Sequence, residues 1–561
     1  MEGKTYFNRI HINLLFVLIL GTAISRTLYA QKPLKREFRG VWIASVANID
    51  WPSRPDLSTE KQRDEFRYIL NQHQKNGINA VIVQIRPSAD AFYRSSYEPW
   101  SEWLTGKNGK IPHPEYDPLT FMVEEAHERC MEFHAWLNPY RAIFDADKFY
   151  QDTAHIHLDT LKNLVQDLIV SDSSNASGEL TDKQYIDLLQ LLGTDTSLLI
   201  YKHPDWFLQY GNKIYFDPGI PEVRQHIADV VRDIVARYDI DAIHMDDYFY
   251  PYKIAGVEFP DSLSFREYGS TYSDELKDSW RRENVNTIVK MLNEVIKSKK
   301  PYVKFGISPF GVWRNASVDP TGSETKAGQT NYDDLYADVL KWQKEKWIDY
   351  VIPQIYWHRG FELADYEVLA NWWNENHHGI QVYIGQGLYR VDGNSSTEAW
   401  RNPDEIPEQI TLNRSLPNIQ GSCFFSSKSM INNPLGVTDY LSENCFQYPA
   451  LVPEMNWLKN PAPSKTEIKE IKYTSEGFLV EWENNGNAKY YIVYRFKGKR
   501  IGNLNDPSNI LSIQNKNKTF FEDQKVRRFR KYTYVITALD RSFNESEHSD
   551  PMTKRWKKQK R

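Results

Sequence analysis

The chain has 561 residues, 41% of them hydrophobic, 25% charged and 14% aromatic, with 17 Trp, 34 Tyr and a formal net charge of −5. That length accommodates one large domain and smaller ones, and the acidic balance does not favour nucleic acid as a partner, so none is expected, because neutralising phosphates takes a basic face. Cys130, Cys423 and Cys445 are odd in number and lack metal or disulfide spacing, so they read as small hydrophobes.

At the N-terminus, Lys4 and Arg9 precede an apolar run from about Ile12 to Ile24, and Ala30 offers a small residue for cleavage. This pattern predicts a secretory signal peptide over residues 1–30. The expected destination lies outside the cytoplasm, in the periplasm or at the cell surface. After cleavage the chain is not expected to be an integral membrane protein, because no later apolar run is long enough to span a bilayer.

From residue 35 to 447 short apolar runs alternate with segments of helical period. Eight runs read as strands: FRGVWIASV from Phe38, INAVIVQIR from Ile78, FHAWLNPY from Phe133, IDAIHMDD from Ile240, VKFGISPF from Val303, DYVIPQIYW from Asp349, QVYIGQGLY from Gln381 and GSCFFSS from Gly421. Between them, Ser58 and Gly77 bracket one helix and Pro221 opens another. Eight strand and helix units predict an α/β fold, a (β/α)8 barrel of the TIM type. The polar interval over 144–201 breaks the rhythm and reads as an insertion after the third strand. A Pro-rich linker (448–465) leads to alternating runs over 466–550, which predict a small all-β sandwich similar to a fibronectin type III domain. Residues 551–561 read as a solvated basic tail.

Side chains alternate across a strand, so one parity faces the lumen. In IDAIHMDD, Ile243 and Met245 suit the helix side, which turns His244 and Asp246 inward and starts a loop at Asp247. The same counting turns Gln84, Arg86, His134, Trp136, Asn138, Gln354, Tyr356 and Gln386 inward. Polar groups from five strands thus meet at the C-terminal rim, where barrel enzymes assemble their sites. Aromatic residues at the strand ends, including Trp42, Trp51, Tyr140, Tyr248, Tyr250, Trp313, Tyr356, Trp357 and Tyr389, offer flat faces on which sugar rings pack. A carboxylate in such a mouth suits glycoside hydrolysis, as nucleophile or as stabiliser of an oxocarbenium-like centre.

The motifs REFRGVWIASVANIDWPS, NAVIVQIRPSADAFY, WLNPYR, IDAIHMDDYFYPY, GISPFGVWRN and VIPQIYW resemble the bacterial glycosyl-hydrolase-like family 10 over roughly residues 35–400. The resemblance implies an exported (β/α)8 enzyme that hydrolyses a cell-envelope glycan, such as peptidoglycan glycan strands, with Asp246 and Asp247 as the acidic pair. It also leaves room for a cell-envelope protein partner beside the glycan strand or oligosaccharide substrate.

On this reading Asp246 is the principal catalytic carboxylate, and Asp247 is its partner or orients it. Glu258, Asp261, Glu324 and Glu362 are alternative second carboxyls on other loops. Arg86, Asn138, Tyr140, Arg141, Tyr248, Gln354, Tyr356 and Trp357 are assigned to substrate binding. Two other classes compete. A non-catalytic glycan-binding barrel would bind without turnover, and a metal hydrolase would use His134, His244 and Asp246. The second falls short of a ligand pattern, so no metal or cofactor is expected.

Overall fold

The computed structural model describes residues 33–153, 199–458 and 462–556. The apolar leader and most of the 144–201 stretch lie outside the described residues. Strands β1 (Phe38–Ile43), β2 (Ala80–Arg86) and β3 (Glu132–Leu137) are followed by three short antiparallel strands, β4 (Arg141–Ile143), β5 (Phe207–Tyr210) and β6 (Lys213–Phe216). Then come β7 (Ala242–Met245), β8 (Lys304–Ile307), β9 (Tyr350–Val351), β10 (Gln354–Ile355), β11 (Gln381–Gln386) and β12 (Ile419–Phe424). β9 and β10 are two halves of one strand, interrupted at Pro353, which has no N–H to give to the ladder. β11 pairs with both halves and with β12, which pairs with β1, so eight parallel strands close a barrel.

Among the described residues a main helix follows each barrel strand: α1 (Thr59–Lys75), α2 (Pro118–Glu128), α3 (Pro221–Arg237), α4 (Lys277–Lys299), α5 (Val339–Lys344), α6 (Tyr366–Glu375), α7 (Glu405–Ser415) and α8 (Ser427–Asn432). Their starts are written in the sequence. The Ser58 hydroxyl accepts from the Lys61 amide at the head of α1, and Pro221 sits in the first turn of α3. Among the described residues no helix is long and apolar enough to cross a membrane.

Strand parity divides the barrel core in two. Val81, Val83 and Ile85 of β2, with Ile243 and Met245 of β7, pack outward against the helices. Ala80, Ile82, Trp136, Ala242 and Tyr350 point into the lumen. The lumen is tight at β8: a Cβ on Gly306 would meet the Tyr350 ring at 1.9 Å. Both groups sit on paired strands that cannot part, so Gly306→Ala should cost about 3 kcal/mol, read as a lower urea midpoint with an unchanged slope.

The C-terminal region forms two antiparallel sheets. One holds β13 (Ile468–Tyr473), β14 (Phe478–Trp482) and β17 (Phe520–Asp523); the other orders β16 (Ile510–Asn515), β15 (Tyr490–Lys497), β18 (Lys531–Leu539) and β19 (Met552–Arg555). Tyr491 and Val493 face Phe478, Val480 and Trp482 in a core between the sheets. The opposite parity of the same strand, Tyr490, Ile492, Tyr494 and Phe496, joins Phe38, Tyr350 and Tyr383 of the barrel in one continuous apolar cluster. The sandwich therefore closes the N-terminal floor of the barrel. Leu451, Val452 and Met455, in the segment read as a linker, are buried in the same cluster. Polar links reinforce this floor, including Lys489 to Asp241, Lys35 to Glu545 at 2.6 Å and Arg541 to Asp239 at 2.6 Å. The last strand also enters the stretch read as a solvated basic tail, because residues 552–555 pair with β18.

Candidate active site

A cavity of about 420 Å³ opens at the C-terminal end of the barrel. Every barrel strand, or the loop that follows it, contributes to its wall: Trp42, Gln84, Trp136, Asp246, Ser308, Gln354, Arg390 and Phe425 in turn around the barrel.

Asp246 follows the last residue of β7, and its inward parity carries the carboxylate into the cavity, where it is only 4% exposed. Three donors hold it. Trp136 Nε1 lies 3.2 Å from Oδ2, Asn138 Nδ2 lies 3.1 Å from the same oxygen, and the Tyr248 amide lies 3.4 Å from Oδ1. The Asn138 amide can present only its nitrogen, since its oxygen accepts from the Arg141 backbone N–H at 2.9 Å. Burial raises the Asp246 pKa, and Arg141, Trp136, the Tyr248 amide and Asn138 oppose that rise.

Asp247 also lines the cavity, accepting from the Tyr252 hydroxyl at 2.5 Å. Burial and the neighbouring Asp246 charge push its pKa up to about 7. The two adjacent carboxyls are thereby unequal: Asp246 is ringed by donors that oppose the effect of burial, whereas Asp247, raised further by its neighbour's charge, retains its proton into the neutral range.

Beneath the cavity runs a hydrogen-bonded chain through the lumen. Trp42 Nε1 and Ser308 Oγ both approach His244 Nε2, at 3.4 and 3.0 Å. Indole is a donor only, so this nitrogen is the acceptor and Nδ1–H faces the Tyr350 hydroxyl at 3.1 Å. Tyr350 in turn meets His134 Nδ1 at 2.8 Å, and His134 Nε2 meets Glu132 at 2.9 Å. Burial depresses the His244 pKa well below its ordinary value, in keeping with the neutral tautomer. His134, His244 and Asp246, the ligands of the competing metal-hydrolase reading, are each engaged by protein partners, and no group of three or more His, Cys, Asp or Glu side chains among the described residues is placed to hold a metal.

Residues 37–402 match the family model described as glycosyl hydrolase-like 10. The chain belongs to the glycosyl hydrolase-like 10 family. A family relative, glycosyl hydrolase YngK from Bacillus subtilis (strain 168), is 46% identical over 554 residues, covering 97% of this chain and 98% of its own. Glycosyl hydrolase DigH from Escherichia coli (strain K12) is 35% identical over 409 residues, 71% of this chain and 84% of its own. Among solved structures, the PgaB (BpsB) glycoside hydrolase domain from Bordetella bronchiseptica is similar at 10% identity and a TM-score of 0.42, covering 72% of this chain and 98% of that one. The family match ends before β12, the strand that closes the barrel.

Of the residues assigned to substrate, Arg141, Tyr248, Gln354, Tyr356 and Trp357 line the cavity of this glycosyl hydrolase-like 10 chain. The Arg141 guanidinium lies over the Tyr248 and Phe144 rings, at 5.6 and 5.4 Å. Asn138 sits behind Asp246 rather than in the wall. Arg86 and Tyr140 do not reach the cavity. The pairing of β2 with β3 slips at Gln84 and Arg86, and the Arg86 guanidinium turns to the Glu98 carboxylate and the carbonyls of Asn138 and Pro139. Tyr140 is fully buried among apolar neighbours. Gln386 faces the helices and donates to Gln409 of α7, because Tyr383, three residues earlier, occupies the lumen.

None of the four alternative carboxyls lines the cavity. Asp261 and Glu258 pair with Arg281 at 2.7 and 3.0 Å, Glu362 pairs with Lys326 at 3.1 Å, and Glu324 is exposed. Other lining residues were not singled out by strand parity, among them Tyr252, Phe310, Arg390 and Phe425, which lie beyond the ends of the regular strands, where no periodicity reports direction.

Proposed function

We propose that this chain is an exported glycoside hydrolase that cuts O-glycosyl bonds in a cell-envelope glycan, peptidoglycan glycan strands or a related polysaccharide. The observation that carries the reading is the unequal pair Asp246 and Asp247 in one aromatic cavity at the barrel mouth. Asp247, protonated near neutral pH, gives its proton to the leaving oxygen. Asp246, anionic within its ring of donors, faces the positive charge that develops at the anomeric carbon. Trp42, Trp136 and Tyr356 offer flat faces for sugar rings. The apolar leader over residues 1–30 would take the chain to where such glycans are found.

The test is incubation of purified, peptide-free glycan strands with the protein, followed by mass analysis. New reducing ends support hydrolysis, whereas binding without fragments supports the binding-protein alternative. The pH dependence follows from the pair. Losing the Asp247 proton should end activity as pH rises through about 7, and protonating Asp246 should end it in acid, at a pH above an ordinary aspartate's 3.8. Initial rates across the range should therefore trace a bell, and Asp247→Asn should remove its alkaline limb together with most of the rate.

A further inference from the structure

Asp246 and Asp247 enter the cavity from a single wall, the end of β7 and the turn after it. Directly across the eight-stranded barrel from β7 stands β12, with Phe425 beyond its end, flanked by Trp42 of β1 and Arg390 after β11. Among the described residues that line the cavity, Asp246 and Asp247 are the only two with carboxyls. A two-carboxylate glycosidase needs its groups on opposite sides of the scissile bond, about 5 Å apart with an enzyme nucleophile or about 6.5 to 9.5 Å apart with a water between them. Here the wall facing the acid offers an aromatic ring, an indole and a cation. Among the described residues, that wall supplies no attacking atom.

A 2-acetamido group on the sugar supplies one, because its carbonyl oxygen can reach the anomeric carbon from the face opposite the leaving oxygen. That reaction needs an acid at the leaving oxygen and, beside it, an anion that accepts from the acetamido N–H. Adjacent residues at one strand end meet this need. Asp246 has the anion's environment, and the indoles of Trp42 and Trp136 provide an apolar surface for the acetamido methyl.

We propose that the chain cleaves glycans by substrate-assisted catalysis, with the 2-acetamido group of the sugar on the non-reducing side of the cut as the nucleophile, Asp247 as acid and Asp246 as acceptor of the acetamido N–H. The proposal rests on the glycoside hydrolase reading above and specifies an N-acetylated amino sugar at that position. In the first step the carbonyl oxygen bonds to C1 while the C1–O bond breaks. Its electron pair leaves with the oxygen, which takes the proton of Asp247. The positive oxazolinium ring is stabilised by Asp246. In the second step water adds to C1 and passes its proton to Asp247, and the carbonyl oxygen leaves C1. The net reaction is hydrolysis with retained configuration.

Peptide-free glycan strands are chemically de-N-acetylated and re-acylated with acetyl, fluoroacetyl or trifluoroacetyl groups. The rate should fall in that order, by about 100-fold or more from acetyl to trifluoroacetyl, as fluorine drains the carbonyl oxygen that attacks. Strands left as free amines should not be cut. Proton NMR during the first turnovers should show the initial anomer retained. Equal rates across the acyl series, or an inverted first product, would overturn the proposal and leave the hydrolase reading standing. Failure to cut any acylated strand would overturn both.

Discussion

Replacing Asp246 with Asn is expected to lower kcat on glycan strands by about 1000-fold or more while leaving the protein at least as stable as before. Asn matches the shape of Asp and can keep its one oxygen toward Trp136 Nε1 and Asn138 Nδ2, giving up only the 3.4 Å acceptance from the Tyr248 amide, so the cavity wall retains its form. What is removed is the negative charge opposite the developing cation. The stability sign follows from the pKa. Burial raises Asp246 in the folded state, so above that pKa the buried anion opposes folding, and a neutral side chain relieves the penalty. Thermal unfolding at neutral pH should therefore show an unchanged or higher midpoint beside the collapsed rate. A second consequence falls on Asp247, whose pKa is raised in part by the Asp246 charge. In Asp246→Asn it should move down from about 7, measurable by carbon NMR of the labelled carboxyls. A variant that kept most of its rate would exclude this carboxylate from the reaction. Glycan binding that survives in it would show that recognition and turnover are separable.

The barrel and the position of Asp246 were legible because β7 is regular: Ile243 and Met245 occupy the helix side, so His244 and Asp246 had to point inward. Parity failed where the ladder is irregular. Arg86 follows a register slip, and a buried guanidinium near Glu98 gains more from a bidentate ion pair than from an apolar lumen. It also failed beyond strand ends, where Tyr252, Arg390 and Phe425 are placed by loop geometry that no period encodes. The role of the C-terminal sheets was readable in principle. The run YYIVY in β15 is apolar on both parities, as a strand buried on both faces must be, whereas a sandwich strand with a solvated face alternates with polar residues. Reading it as one of the alternating runs of a sandwich missed the partner on its second face. That partner comes from the far end of the chain's own sequence, Phe38 of β1, and distance along the chain hides it.

Ending the chain after Leu458 is accordingly expected to leave a barrel that does not hold a native fold. The sandwich contributes Tyr490, Ile492, Tyr494, Phe496, Val535, Leu539 and Phe543 to the cluster that closes the barrel floor, all nearly or fully buried. At roughly 1.5 to 3 kcal/mol for each large apolar side chain, the loss is on the order of 10 kcal/mol, comparable to the whole stability of a domain. Low soluble yield and a flattened near-ultraviolet circular dichroism spectrum are the expected results. A truncated chain that unfolds cooperatively near the full-length midpoint would show that the barrel closes its own floor. Lys489→Met tests the same seam without deleting it. Burial pushes the Asp241 pKa up, but Lys489 and His127 outweigh it and hold the carboxyl well below 3.8. Removing the lysine leaves a buried anion with less compensation, at about 3 kcal/mol. A carboxyl with a depressed folded pKa stabilises above its unfolded value and loses that contribution as pH falls through the folded one. The deficit of Lys489→Met relative to the parent should therefore be full at neutral pH and shrink in acid below 3.8, which urea titrations at several pH values would reveal.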